Sequence, residues 1–521
     1  MVIAISVLFG CGKDIPSSKT AKNFWYQDYR KSDQEIQEIL EKRLNDGFQF
    51  SCEDHFKLVR YVEANHVLKG QIDVFKRLET AANKVLKKGR LPTPYFSKGV
   101  GDFRFLMDDG NHLVSVPAID IGYVQFKSAH FNMNPFNSES SFCESVEQLS
   151  KDMKRDFEKR HYYDDTIRSS LAPLILKSIF RYFVTGLDPH SYFIELGEKF
   201  FIDQHLSRKL QRDLDDNMYI QNFSQTYSIV DSNAFPSLEF EGGNENDGVG
   251  LFWSSASNVI YTRIDRFSEK TADTFKELYE KNVQHNGCPS ALILDLRTNS
   301  GGSTFEAHEL LELFLTQGPT IVLSIKPENG SIQYMPSSTA SAYFATSGNE
   351  IPGIQNLPIV ILVSRASASS AEIFADALQV HGKAILVGER TYGKAVGQFH
   401  DFMVQDLPAP FSINSTSILN LTTFYAYSPA GYSWQKVGAI PDIEVQQDED
   451  FVFDVSKDER ETFWPHALEA PSAVKFNGCL EQVYCAPWFP VWKMHLSQQF
   501  SQRRFSLAAL MKAIPKITVT H

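Results

Sequence analysis

The chain has 521 residues, 43% of them hydrophobic and 22% charged, which is too apolar for a disordered chain and too long for one hydrophobic core; about two to four domains are expected. The net charge of −12, from 63 acidic against 51 basic side chains, excludes broad nucleic-acid binding, because phosphate backbones repel such a surface. No stretch reaches the ~18 uninterrupted apolar residues of a transmembrane helix.

The chain starts with a short apolar run in which Leu8, Gly10 and Cys11 fit a lipobox, so residues 1–13 read as a bacterial lipoprotein signal with Cys11 as the lipidated residue. Phe9 is bulky for its position and the basic n-region of an export signal is missing, which points to a true start upstream. A plain apolar N-terminus is the alternative. Location in the periplasm, membrane-anchored through Cys11, is the resulting expectation, with membrane contact only through that lipid. The other cysteines, Cys52, Cys143, Cys288, Cys479 and Cys485, show no C-x-x-C metal spacing, and no metal or cofactor is expected. Cys479 and Cys485 are close enough in sequence for a small disulfide in an oxidising compartment; buried thiols are the other reading.

Residues 14–215 read as a mostly helical N-terminal domain, from apolar steps of three and four in Ile36–Leu44, Phe56–Val67, Val74–Leu86 and Ile167–Val184. Leu91-Pro-Thr-Pro-Tyr95 and Phe131–Ser141 break these helices. Leu187-Asp-Pro-His-Ser-Tyr192 follows the last helix as a turn. Residues 216–257 are polar and irregular, a loop or small insert. An α/β core is expected over 258–447, with strands at Val259–Ile264, Ala291–Leu296, Ile321–Ile325, Ile359–Val363, Ala384–Val387 and Ser417–Phe424. Helices alternate with them at Glu269–Gln284, Phe305–Leu315 and Ala371–Val380, so the strands should be at least partly parallel. A C-terminal extension, 448–521, carries an amphipathic basic helix at Trp492–Ile514, read as a capping or oligomerisation element.

Three strand ends in this core have chemical potential. Asp295-Leu-Arg-Thr-Asn-Ser-Gly-Gly302 opens a buried strand into a Gly-Gly turn, whose N–H groups can face an anion such as a developing oxyanion. Ser364-Arg-Ala-Ser-Ala-Ser-Ser-Ala-Glu372 places small residues before a helix and leaves room for a substrate backbone. Gly388-Glu-Arg-Thr-Tyr-Gly-Lys394-Ala-Val-Gly-Gln398 sets one lysine among small residues. Taken singly each has a plain structural reading: a tight turn at Gly301 and Gly302, an S-x-x-E capping box at Ser369 and Glu372, and a solvated loop lysine. Together they offer a serine and a base, since burial can lower a lysine from about 10.4 toward roughly 7 to 8. Gln398, four residues on, is placed to orient the amine.

In this order, and closed by Gly438-Ala-Ile-Pro-Asp-Ile443, these segments and Leu187–Tyr192 resemble the C-terminal processing (tail-specific) peptidase family of serine peptidases across about half the chain, residues 187–445. The resemblance implies Ser369 as nucleophile, Lys394 as general base and Gln398 as third member. It also implies an oxyanion hole from a Gly301 or Gly302 N–H with the Ser370 N–H, and a crotonase/Clp-protease-like α/β core. Members that use an aspartate in the helix after the nucleophile have it where Val380 stands here, so that variant is excluded. Only about 65 residues separate Tyr192 from Asn258, short of the PDZ domain that such proteins usually carry, so that domain is read as absent or reduced. The function expected is a serine endopeptidase acting on exported or periplasmic proteins, with protein or peptide as substrate and no nucleic-acid partner. The alternative is a catalytically idle peptide-binding or scaffold protein on the same fold, against which the joint presence of Ser369, Lys394 and Gln398 speaks.

Overall fold

The computed structural model describes residues 50–106, 113–127, 130–159, 171–195, 238–244, 247–315, 318–324, 327–328, 331–332, 342–345, 350–399, 417–445 and 460–471. Cys11, Cys479, Cys485, and the helices expected at Ile36–Leu44 and Trp492–Ile514 lie outside the described residues.

The N-terminal part is built on four helices: α1 (Cys52–Asn65), α2 (Val74–Lys88), α3 (Glu139–Lys159) and α4 (Leu171–Thr185). Local signals fix their ends. Ser51 and Asp54 exchange capping-box hydrogen bonds at the start of α1; Asp73 caps α2, which stops at Gly89 in the left-handed region at φ 64°. In α3, Phe142, Val146, Leu149, Met153 and Phe157 are buried at helical spacing against α4 and its neighbours. A disulfide between Cys52 and Cys143 ties α1 to α3, a pairing the sequence reading did not single out.

Two expectations need correction. The region between α2 and α3 is not only a break: β1 (Arg90–Leu106) and β2 (Leu113–Gln125) form a long antiparallel hairpin. Pro92 and Pro94 remove ladder donors at one end and masked the alternation of Phe103 and Phe105 around Arg104 farther on. The insert before residue 258 is not wholly irregular either. β4 (Leu238–Asn244) and β5 (Val249–Ser254) pair antiparallel and extend the main sheet, so Asp247-Gly-Val-Gly-Leu251 is a turn entering a fully buried strand.

That main sheet has seven strands in the order β16-β13-β12-β7-β6-β5-β4. Its members are β6 (Val259–Ile264), β7 (Ala291–Asp295), β12 (Ile359–Val363), β13 (Ile385–Gly388) and the short β16 (Ile443–Glu444), besides β4 and β5. β6, β7, β12, β13 and β16 run parallel. Their continuous apolar runs are buried throughout in β7 and β12, as a parallel strand covered on both faces requires. Helices α5 (Thr271–Asn286), α6 (Thr304–Glu312) and α7 (Ser370–Val380) supply that cover, with Phe275, Leu310, Phe374 and Leu378 in the shared core.

A second sheet runs β11-β8-β15-β14, with β3 (Tyr192–Glu195) also on β15. It comprises β8 (Gly318–Ser324), β11 (Ala342–Ala345), β14 (Val396–Phe399) and β15 (Ser417–Tyr427); β9 (Pro327–Glu328) and β10 (Ser331–Ile332) form a small separate pair. β15 is shared between two cores. Leu419 and Leu421 pack with the N-terminal helices, whereas Phe424 and Ala426 belong to the α/β core. Thr422 stands between the two groups.

Candidate active site

The three strand ends singled out by sequence converge. At the end of β7, Asp295 is buried and accepts bonds from the Arg297 guanidinium and, at 2.5 Å, from the Tyr261 hydroxyl. Burial raises the Asp295 carboxyl, but Arg297 and Tyr261 together hold it below its ordinary value. This pins the turn that follows. Asn299 then accepts the Gly301 N–H at 2.8 Å and donates to the Ile264 carbonyl. A Cβ on Gly301, whose φ is 110°, would stand 2.8 Å from the Ser369 Cβ, so the glycine turn packs directly on the serine.

Beyond β12, Ser364 and Ser367 donate to the carbonyls of Arg297 and Leu296, clamping the second segment to the first. The chain then turns sharply. Ser369 is half-buried with φ 56° and ψ −118°, a conformation costing a non-glycine residue about 1–3 kcal/mol and found where the surroundings over-determine it. α7 begins at the next residue.

Glu372, on the first turn of α7 and fully buried, joins this elbow to the lysine loop. Its Oε2 accepts the Ser369 N–H at 2.9 Å and the Lys394 N–H at 2.8 Å; its Oε1 accepts the Thr391 hydroxyl at 2.5 Å and the Gly393 N–H at 2.7 Å. The capping-box pattern read from the sequence is thus only a quarter of what Glu372 does. The backbones of Ser369 and Lys394 sit two hydrogen bonds apart through one oxygen. Burial pushes the Glu372 carboxyl up to about 8 while the four donors pull the other way, and a proton on either oxygen would face one of those donors.

Lys394 donates from Nζ to Gln398 Oε1 at 3.0 Å. Burial lowers its amine below the ordinary 10.5, opposed by the carboxylates of Glu461, Asp188 and Glu372. Gln398 in turn donates to the Thr422 hydroxyl at 3.0 Å, and Thr422 donates to Asp188 at 2.8 Å. Among the described residues the N–H groups of Gly302 and Ser370 find no hydrogen-bond partner, and Ser370 Oγ donates to the Gly302 carbonyl at 2.8 Å, holding the two strands of backbone together. Of the two glycine N–H groups expected as alternatives, that of Gly301 is engaged by Asn299.

The sequence reading missed three buried carboxylates as parts of the site. Glu372 was visible only as a cap. Asp188 lay in the Leu187–Tyr192 turn without an assigned role. Glu461 comes from the C-terminal extension: fully buried, it accepts from Gln435 Nε2 at 2.8 Å and meets His190 Nε2 at 2.8 Å, while Gln435 Oε1 accepts the Ala395 N–H at 2.7 Å. Its own N–H donates to the Tyr392 carbonyl at 3.2 Å. No local pattern announces such a residue, because its partners are tens to hundreds of positions away.

The model of Peptidase family S41 matches residues 258–445. This stretch of the chain belongs to peptidase family S41. Over 193 residues the chain is 30% identical to the "Carboxy-terminal-processing protease" of Bartonella bacilliformis, covering 36% of this chain and 39% of that protein. It is 28% identical to "Carboxyl-terminal-processing peptidase 2, chloroplastic" of Arabidopsis thaliana, covering 36% and 32%. The chain thus spans well under half the length of these relatives. Among solved structures, the "Photosystem II D1 C-terminal processing protease" is similar at 23% identity and a TM-score of 0.30, over 40% of this chain and 47% of that one. The S41 stretch contains Ser369, Lys394, Gln398 and Glu372; Asp188 and Glu461 lie outside it on either side.

Proposed function

We propose that the chain is a serine endopeptidase that cleaves peptide bonds of exported or periplasmic proteins through an acyl-enzyme on Ser369, with Lys394 as general base. The observation that carries this reading is the shared Glu372 oxygen, which fixes the elbow serine and the lysine loop side by side. The neutral amine of Lys394 takes the Ser369 Oγ proton as Oγ bonds to the scissile carbonyl carbon. The negative charge that forms on the carbonyl oxygen is met by the Gly302 and Ser370 N–H groups. The C–N bond then breaks, the Lys394 ammonium returns its proton to the leaving amine, and water repeats the sequence on the ester. Gln398 can only accept from the amine, so it orients the lone pair without moving a proton.

The Cys52–Cys143 disulfide supports an oxidising compartment, consistent with export and with lipidation at Cys11. Labelling by a fluorophosphonate tests the chemistry: it should attach to Ser369 and vanish in Ser369→Ala. Labelling that survives that substitution, or hydrolysis of casein that does, excludes the mechanism.

A further inference from the structure

We infer that Asp188, through Thr422, is a positioning residue that turns the Gln398 amide so that its oxygen, not its nitrogen, meets Lys394. The inference rests on the Ser/Lys reading above and extends it to a residue outside the S41 stretch.

An amide can present either end, and only the oxygen can accept from the lysine amine. What chooses the end is the partner on the other side, Thr422, whose hydroxyl can donate or accept. Asp188 settles that choice. It is fully buried and gathers five donors: Ser191 Oγ at 2.5 Å and His66 Nε2 at 2.9 Å on Oδ2, and Thr422 Oγ1 at 2.8 Å with the N–H groups of His190 and Ser191 at 2.9 and 3.1 Å on Oδ1. The His66 tautomer is set by the backbone. Its Nδ1 accepts the Leu68 N–H at 3.0 Å, so the ring proton is on Nε2 and points at Asp188. Burial opposes charge on Asp188, but the bonds from His66 and Ser191 and the nearby His190 hold its carboxyl well below the usual carboxylate range.

An ionised Asp188 accepts only. The Thr422 hydrogen therefore goes to Asp188, the Thr422 oxygen accepts from Gln398 Nε2, and Gln398 Oε1 is left for Lys394. Every bond from Leu68 to Lys394 has one allowed direction. The register is rigid at both ends, since Ser191 Oγ also accepts the Thr422 N–H at 2.9 Å. The negative charge acts on the lysine as well: the carboxylates facing Lys394 are Glu461, Asp188 and Glu372, and each favours its ammonium.

The test is the rate of fluorophosphonate inactivation, resolved into kinact and Ki across pH, for the full chain and for Thr422→Val, Thr422→Ser and Asp188→Asn. Thr422→Val keeps the shape and removes the hydroxyl; it should lower kinact about ten- to a hundredfold with Ki nearly unchanged. Thr422→Ser should restore kinact to within about threefold of the parent. Asp188→Asn should lower kinact and move the acid limb to lower pH, because one carboxylate favouring the ammonium is gone. Wild-type kinact in Thr422→Val, or failure of Thr422→Ser to restore it, overturns the inference, and this pair decides even if Asp188→Asn does not fold. Ser369→Ala and Lys394→Met, run beside them, separate the two levels. If both are dead while Thr422→Val is normal, only the positioning role falls; if either labels at the parent rate, or the parent does not label, the Ser/Lys reading falls with it.

Discussion

Replacing Glu372 by glutamine should uncouple the serine elbow from the lysine loop while keeping the side chain's shape. The carboxylate accepts four bonds, two on each oxygen; the amide has one oxygen and one NH₂. Whichever way it turns, two buried donors lose their acceptor and face an N–H instead. Each stranded donor costs about 1–3 kcal/mol, and relief of a buried charge offsets part of that, so a net loss of about 2–4 kcal/mol is expected. Urea unfolding of Glu372→Gln against the parent measures it. With the amide oxygen toward Thr391 Oγ1 and the Gly393 N–H, the Ser369 and Lys394 N–H groups lose their shared acceptor; with it toward those two N–H groups, the bridge is kept but the lysine loop is released at Thr391 and Gly393. A displacement of about 1 Å between serine and base costs on the order of a hundredfold in rate, so fluorophosphonate labelling should fall by at least that in the folded variant. Unchanged stability together with unchanged labelling would refute the idea that this oxygen sets the Ser369–Lys394 geometry.

Five further outcomes are expected. Lys394→Arg keeps the charge but has a pKa above about 12 and cannot supply a neutral nitrogen, so casein hydrolysis should be lost as fully as in Lys394→Ala. In the parent, kcat/KM should rise with pH as the Lys394 amine loses its proton, with the midpoint of the limb below the ordinary lysine value of 10.5; a limb at or above that value contradicts a desolvated base. Gln398→Ala should lower kcat about ten- to a thousandfold with little change in KM, and combined with Ser369→Ala should add nothing. Removing the disulfide by Cys52→Ser with Cys143→Ser should cost about 2–4 kcal/mol in urea unfolding, because it closes a long loop, and membrane fractionation of the native protein should become soluble on Cys11→Ser.

The α/β core was legible because its signals are local. β7 and β12 are unbroken apolar runs and α7 is framed by small residues, so their positions were readable within a residue or so. The segments carrying Ser369, Lys394 and Gln398 stood out as candidates too, as polar residues among small ones, and the fold brings them together. The hairpin of β1 and β2 was not, because prolines at one end outweighed the alternation beyond it. β5 was hidden for a different reason: Gly248 before it and Gly250 within it read as loop, while its six residues are all buried. Most opaque were Asp188 and Glu461. Their meaning lies in contacts with Thr422, and with His190 and Gln435, and long-range polar pairing leaves no period in a sequence.

Glu461 brings an order of events into the molecule. It is made after the serine, the lysine and the glutamine, yet the loop carrying the lysine is braced through it by Gln435, Tyr392 and His190. A nascent chain emerging from the ribosome therefore exposes Ser369 well before it owns the brace. Any chain broken off short of residue 461 lacks it permanently. The contacts that brace the lysine loop are therefore completed only by a segment that lies beyond the α/β core in the chain.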